Sequence, residues 1–304
     1  MKLFFKHIII FALAFFIVEK GVWFILNETP KKQYDKRLEL LIKGKINKDI
    51  IVLGSSRGAG NILAGQLEKE TGLTAYNLSY QGSNVDFHKF ILETLLKFNK
   101  APQYVLLSID NSSQFIKDES LNYREDAVLP LTKYNYINNE LVNEKINSPL
   151  SYAFFLGRYN KFHSLFRDAF VNTRNPIDSF GSMGILKKND VKLNYVEKTE
   201  KYNQNFEKAS RIKAFKNIQK LCKLNNIKLV FVFSPSFYNF ESSFYTRFKK
   251  LDESENGIFV YDSTNNIYRN QEYFYDKTHL FINGAKIFST EISNFINTEL
   301  SFNR

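Results

Sequence analysis

The chain has 304 residues, 44% of them hydrophobic and 24% charged, and a formal net charge of +11. That balance excludes a disordered tail, and the length allows one large domain or two modest ones. A single cysteine, Cys222, excludes an internal disulfide framework and a multi-cysteine metal site.

The first residues, MKLFFKHIIIFALAFFIVEKGVWFIL, hold a short basic start, an apolar run from Ile8 to Val18, the pair Glu19-Lys20, and a second apolar patch from Val22 to Leu26. The apolar run has the length of a signal h-region and falls short of the roughly 20 residues of a full span. No small-residue cleavage site follows, so residues 1–27 read as an uncleaved signal anchor, with a cleaved signal and a buried amphipathic helix as the alternatives. Lys31, Lys32, Lys36 and Arg37 outnumber Lys2 and Lys6, which runs against the usual orientation of such an anchor. Residues 28–48 form a charged connector.

From Asp49 the pattern changes to short apolar runs alternating with helical periods. Strands are expected at 49–54, 74–80, 104–110, 227–234 and 257–263, each a β-rich run of the kind buried on both faces of a parallel sheet. Helices are expected from Asn61 to Glu70, Val85 to Asn99, Phe206 to Leu224 and Gly284 to Glu299. This alternation predicts right-handed crossovers and an open α/β sheet over residues 49–300, with ligands at the carboxyl ends of the strands. Cys222 falls on the apolar face of its helix, as a small buried hydrophobe would.

About 90 residues, Asn111 to Lys201, interrupt the rhythm, too many for a structureless loop. Within them Phe155, Tyr159, Phe162, Phe166 and Phe170 recur at helical spacing, with Arg158, Lys161 and Arg167 between. The stripe fits core packing, a basic helix on a membrane face, or a lid. Residues 112–200 are therefore expected to form a helical insertion capping the site.

The first strand ends in Val52-Leu53-Gly54-Ser55-Ser56-Arg57-Gly58. Glycine and serine after a strand make a turn, a phosphate cradle or the seat of a nucleophile, and the Gly-Lys-Ser/Thr of a phosphate loop is missing. Of the four histidines, His7 lies in the anchor, His88 on a crossover helix and His163 beside the aromatic stripe. Only His279 has a carboxylate three residues before it, Asp276, in the loop before the last helix. A serine hydroxyl becomes nucleophilic when an imidazole takes its proton and a carboxylate fixes the tautomer. Ser56, His279 and Asp276 supply those groups.

The order of these motifs resembles the SGNH, or GDSL-like, hydrolase superfamily. Gly54-Ser55-Ser56 corresponds to its Gly-Asp-Ser block, with Ser56 as nucleophile and Ser55 in place of the usual Asp. Asn77-Leu78-Ser79-Tyr80-Gln81-Gly82 corresponds to its Asn-x-x-x-x-Gly block, and Asp276-Lys277-Thr278-His279 to its Asp-x-x-His block. The third block departs: Ser108-Ile109-Asp110-Asn111 puts Asp110 where the oxyanion-binding Asn belongs. The serine-for-Asp block and the anchor are most similar to the membrane-anchored envelope branch, which includes D-alanyl transfer and alginate O-acetylation proteins.

The resemblance implies a three-layer α/β/α fold with a five-stranded parallel, flavodoxin-like sheet and a bacterial, extracytoplasmic esterase or O-acyltransferase acting on acyl esters of an envelope glycan. Gly82, Asp110 and Asn111 are then expected around the oxyanion, with Ser55, Arg57 and Asn77 supporting the site. The expected partners are an acyl donor or acylated glycan, the membrane, and a membrane-bound acyltransferase; no cofactor, metal or nucleic acid is called for. The rival expectation is a non-catalytic envelope binding or scaffold protein on the same fold.

Overall fold

The computed structural model describes residues 1–116, 120–158, 174–188, 191–198, 201–253 and 256–302. The chain divides into two compact units, Met1–Glu39 with Arg124–Val171, and Leu40–Tyr123 with Asn172–Arg304.

The larger unit is built on five strands, β1 (Ile50–Leu53), β2 (Ala75–Asn77), β3 (Tyr104–Ile109), β4 (Lys228–Phe233) and β5 (Gly257–Val260). They pair in the order β2-β1-β3-β4-β5, every pairing parallel. Register follows the side-chain period of two. Ile50, Val52, Tyr104, Leu106, Val230 and Val232 share one core with Leu67, Phe288, Ile292 and Ile296 of the helices Ala64–Thr71 and Ile282–Phe302. The intervening residues, among them Ile51, Leu107 and Phe231, are also buried. On that side Phe231 packs 5.1 Å from Phe215 of the helix Ala209–Leu224. The helix Val85–Phe98 carries Phe87, Phe90, Ile91 and Leu95 inward, and Asn84 caps its start by accepting from the Phe87 N–H. The fold is thus the three-layer α/β/α arrangement with a parallel sheet that the alternation predicts. Cys222 is buried, and burial pushes its thiol up to about 12.

In the smaller unit the helix Lys2–Lys32 runs unbroken through Glu19-Lys20, where sequence patterning places two separate apolar patches. Its buried residues, Val22, Leu26, Thr29 and Pro30, all lie toward its C-terminal end. Thr29 Oγ1 donates to the Pro130 carbonyl at 2.7 Å, fixing the helix to a short 3-10 turn, Leu129–Leu131. The helices Glu125–Val128 and Asn135–Asn143 and the 3-10 turns Pro149–Tyr152 and Phe155–Arg158 belong to the same unit. Of the aromatic stripe, Phe155 starts the last of these turns; Tyr159, Lys161, Phe162, His163, Phe166, Arg167 and Phe170 lie outside the described residues.

Candidate active site

β1 delivers its loop to the carboxyl edge of the sheet. A side chain at Gly54 would bring a Cβ to 2.7 Å of the Ser108 Cβ on β3, so only glycine lets the chain turn off the strand this close to its neighbour. Ser55 precedes the short helix Ser56–Asn61, and Ser56 is its first residue. Asn77, fully buried, holds this helix from below: its Nδ2 donates to the carbonyls of Gly58 at 2.8 Å and Ile62 at 2.9 Å, and its Oδ1 accepts from the Ser79 N–H.

The loop before the last helix brings the imidazole. Asp276 Oδ1 accepts from the N–H groups of Thr278 at 2.8 Å and His279 at 2.9 Å, an Asx turn that winds the loop around the carboxylate. The same carboxylate meets His279 Nδ1, with Oδ2 at 2.8 Å. His279 Nε2 stands 2.7 Å from Ser56 Oγ. A carboxylate facing Nδ1 keeps the ring proton there, so Nε2 presents a lone pair and Ser56 donates to it. Asn61 ties the two loops together by accepting from the Leu280 N–H at 2.9 Å. Burial pushes the Asp276 carboxyl up, but the hydrogen bonds and charge of His279 and the Thr278 and His279 N–H groups outweigh it and hold it well below the usual carboxylate range.

Ser56 and His279 open on a pocket of about 160 Å³ lined also by Ser55, Arg57, Asp110, Asn111 and Tyr238. Asp110 accepts from Ser55 Oγ at 2.6 Å, so the two departures from the SGNH blocks meet each other. Asn111 sits at φ +50°, its amide donating to Tyr238 Oη at 2.5 Å. Arg57 is buried and donates from Nη2 to the Ser234 carbonyl at 2.5 Å, the Pro235 carbonyl at 3.2 Å and Ser236 Oγ at 3.0 Å, pinning the loop after β4. Gly82 is not among the lining residues; it adopts φ +69° and accepts from the Asn122 N–H through its carbonyl. Ser112, Ser113, Ser120 and Leu121, at the start of the insertion, with Glu241 and Thr278, complete the wall. Among the described residues no three His, Cys, Asp or Glu side chains gather as metal ligands would.

Sequence reasoning passed over His88 and Ser83. Ser83 Oγ lies 2.7 Å from the Tyr80 carbonyl, 3.0 Å from the Gly54 carbonyl and 2.9 Å from His88 Nε2. With two carbonyls before it the hydroxyl spends its proton on one of them, so His88 donates from Nε2 and is neutral. Burial lowers its imidazole to about 3. A signal existed: helical phase places His88 with Ile91 and Leu95 on the core face, an expensive position for an imidazole without a partner. Tyr238 and Glu241 lie in the loop after β4, at the carboxyl edge where ligands are expected, but no motif marks them individually.

No family model matches this sequence, and no curated protein matches it. Among solved structures, an acylhydrolase so described provisionally, from Bacteroides fragilis, is similar at 12% identity and a TM-score of 0.44, covering 90% of this chain and 98% of that one. At such a distance the likeness says nothing of chemistry.

Proposed function

We propose that this protein is a serine esterase or O-acyltransferase of the SGNH type, anchored by its N-terminal helix with the α/β unit outside the cytoplasm, and acting on acyl esters of a cell-envelope glycan. The observation that carries the reading is the chain of contacts from Asp276 through His279 to Ser56, 2.8 Å and then 2.7 Å long. Ser56 Oγ attacks the acyl carbonyl while its proton passes to His279 Nε2, and the imidazolium is stabilised by Asp276. Collapse of the tetrahedral intermediate breaks the ester C–O bond, and Nε2 returns the proton to the leaving alkoxide. Water or a sugar hydroxyl then gives its proton to Nε2 as it attacks the acyl-enzyme, which regenerates Ser56 and yields acid or a new ester.

The N–H of Ser56, at the first position of its helix, has no intrahelical acceptor and is suited to the developing oxyanion. By resemblance Gly82 would add a second donor and Asn111, a residue of the pocket wall whose amide donates to Tyr238 Oη and Ser236 Oγ, a third. Ser55 takes up the Asp110 carboxylate, and this reduces the repulsion an ionised group at that position would exert on an oxyanion. Asp110 in the pocket wall is also the observation that favours the non-catalytic reading. A fluorophosphonate probe decides: labelling of the wild type that disappears in Ser56→Ala supports the enzyme, and a wild type that never labels supports the binding protein.

A further inference from the structure

The smaller unit carries apolar surface that a helix anchor alone does not require. The helix Lys2–Lys32 spans 31 residues, about 46 Å at 1.5 Å per residue, against a hydrocarbon core of about 30 Å. Its buried residues gather at one end, Val22 to Pro30, the stretch before them is largely exposed, and the helix as a whole is long and apolar enough to cross a bilayer. Trp23 and Lys20 mark the boundary, the Lys20 ammonium lying 5.7 Å from the indole and 5.5 Å from the Phe16 ring, as a lysine reaching toward a headgroup layer would.

A second segment reaches below that boundary. Phe154 packs edge-on against Phe15, rings 5.3 Å apart, eight residues or about 12 Å down the helix from Trp23. Glu19, the charge that interrupts the apolar helix, accepts the N–H of Phe155 at 2.5 Å and of Leu156 at 2.9 Å. Ala153 and Phe154 donate to the Leu150 carbonyl, Gly157 to that of Phe154, and Ser151 to that of Ser148. Arg158 holds the turn from inside, donating to the carbonyls of Ser151, Thr132 and Lys133 and to Asn135. What is left outward is apolar: Leu150 is 66% exposed, Tyr152 54%, Phe154 and Leu156 42% each. A short turn whose Phe155 and Leu156 N–H groups are taken up by Glu19 and which shows only such side chains outward suits the headgroup–acyl boundary of a bilayer, where interfacial segments bury an apolar face about 5–10 Å deep.

We propose that residues 149–158 insert into the same bilayer leaflet as the C-terminal half of the anchor, docked on Glu19, and that the N-terminal helix is therefore a retained structural part of the unit and not a removed signal. The occupant of this surface is lipid, since the patch is continuous with the exposed face of a helix of membrane-spanning length. Glu19 serves as the docking post whose charge two backbone amides satisfy.

The full-length chain, with Trp23→Phe and Phe154→Trp, is reconstituted into phosphatidylcholine and phosphatidylglycerol vesicles; Leu224→Trp in the same background serves as the water-exposed control. The Phe154→Trp emission is expected at shorter wavelength, quenched by lipids brominated in the upper acyl chain and protected from acrylamide, whereas the control shows the reverse. Glu19→Ala is expected to remove the lipid quenching while the protein stays in the membrane pellet, and Glu19→Gln to keep it. Mass spectrometry of the membrane-extracted chain is expected to find residues 1–27 present. Acrylamide-accessible emission at residue 154, short-wavelength emission insensitive to brominated lipid (a protein contact), unchanged quenching in Glu19→Ala, or loss of residues 1–27 would each overturn the proposal.

Discussion

Two serine–histidine pairs lie close beneath and beside the same loop, and their protons run in opposite directions. On the rim, Ser56 donates to His279 at 2.7 Å because Asp276 accepts from Nδ1–H and so keeps the ring proton on that nitrogen. On the floor, Ser83 gives its proton to a backbone carbonyl and receives one from His88 at 2.9 Å. The rim pair is half-open to solvent and the floor pair is buried. A serine beside an imidazole is therefore no signature of a nucleophile; the third group and the solvent decide which way the proton moves.

The largest test of this contrast is chemical. Ser56→Ala should lower hydrolysis of a small activated ester by about 10⁴-fold or more and abolish fluorophosphonate labelling, whereas Ser83→Ala should still label. Labelling lost in Ser83→Ala and kept in Ser56→Ala would reverse the assignment of the two pairs.

Asp276→Asn addresses the tautomer. An amide at this position favours the ring proton on Nε2, which then cannot accept from Ser56, so kcat should fall about 10³ to 10⁴-fold with KM little changed. A loss confined to KM, read from steady-state kinetics, would mean that Asp276 shapes only the pocket.

The floor pair should speak through stability. His88 titrates at about 3 when folded, against about 6.5 when exposed. Between those values the unfolded chain binds a proton that the folded one refuses, so stability rises with pH and is lost on acidification, by about 1.4 kcal/mol per pH unit from this group. Asp276, depressed below its ordinary value, adds its own loss only below about pH 4. Half-buried Asp86, Glu93 and Glu291, whose carboxyls burial pushes up, contribute alike to wild type and His88→Gln, so the difference between the two in urea unfolding from about pH 6.5 to 4 isolates His88, and the variant should show the shallower slope. Equal slopes would place the charged imidazole in the folded protein.

The smallest effect is expected at Ser55. Ser55→Ala removes one hydrogen bond to the Asp110 carboxylate and should cost about 1.5–3 kcal/mol in urea unfolding. A fall in kcat that Asp110→Asn restores in the Ser55→Ala background would show that the hydroxyl acts by tempering the carboxylate's charge.

Much of the architecture was written locally. Five short apolar runs, each bounded by turn residues, became the five parallel strands because a strand buried on both faces leaves an unbroken apolar signal. The Asp276-Lys277-Thr278-His279 spacing was similarly readable, since an Asx turn places a carboxylate against the imidazole three residues on without help from the rest of the fold. Gly54 was readable as a turn, though not its reason, the Ser108 Cβ on the neighbouring strand.

The sequence by itself thus determined the sheet, its crossovers and the residue types assembled at the strand ends, because propensity, period and turn chemistry act over a few neighbouring residues. The tertiary structure alone decided that Ser55 would meet Asp110, that His88 would brace the Gly54 loop through Ser83, and that Glu19 would cap amides 136 and 137 positions away. The reason is physical: a buried donor or acceptor must find a partner wherever the fold supplies one, and that partner leaves no periodic trace in the chain.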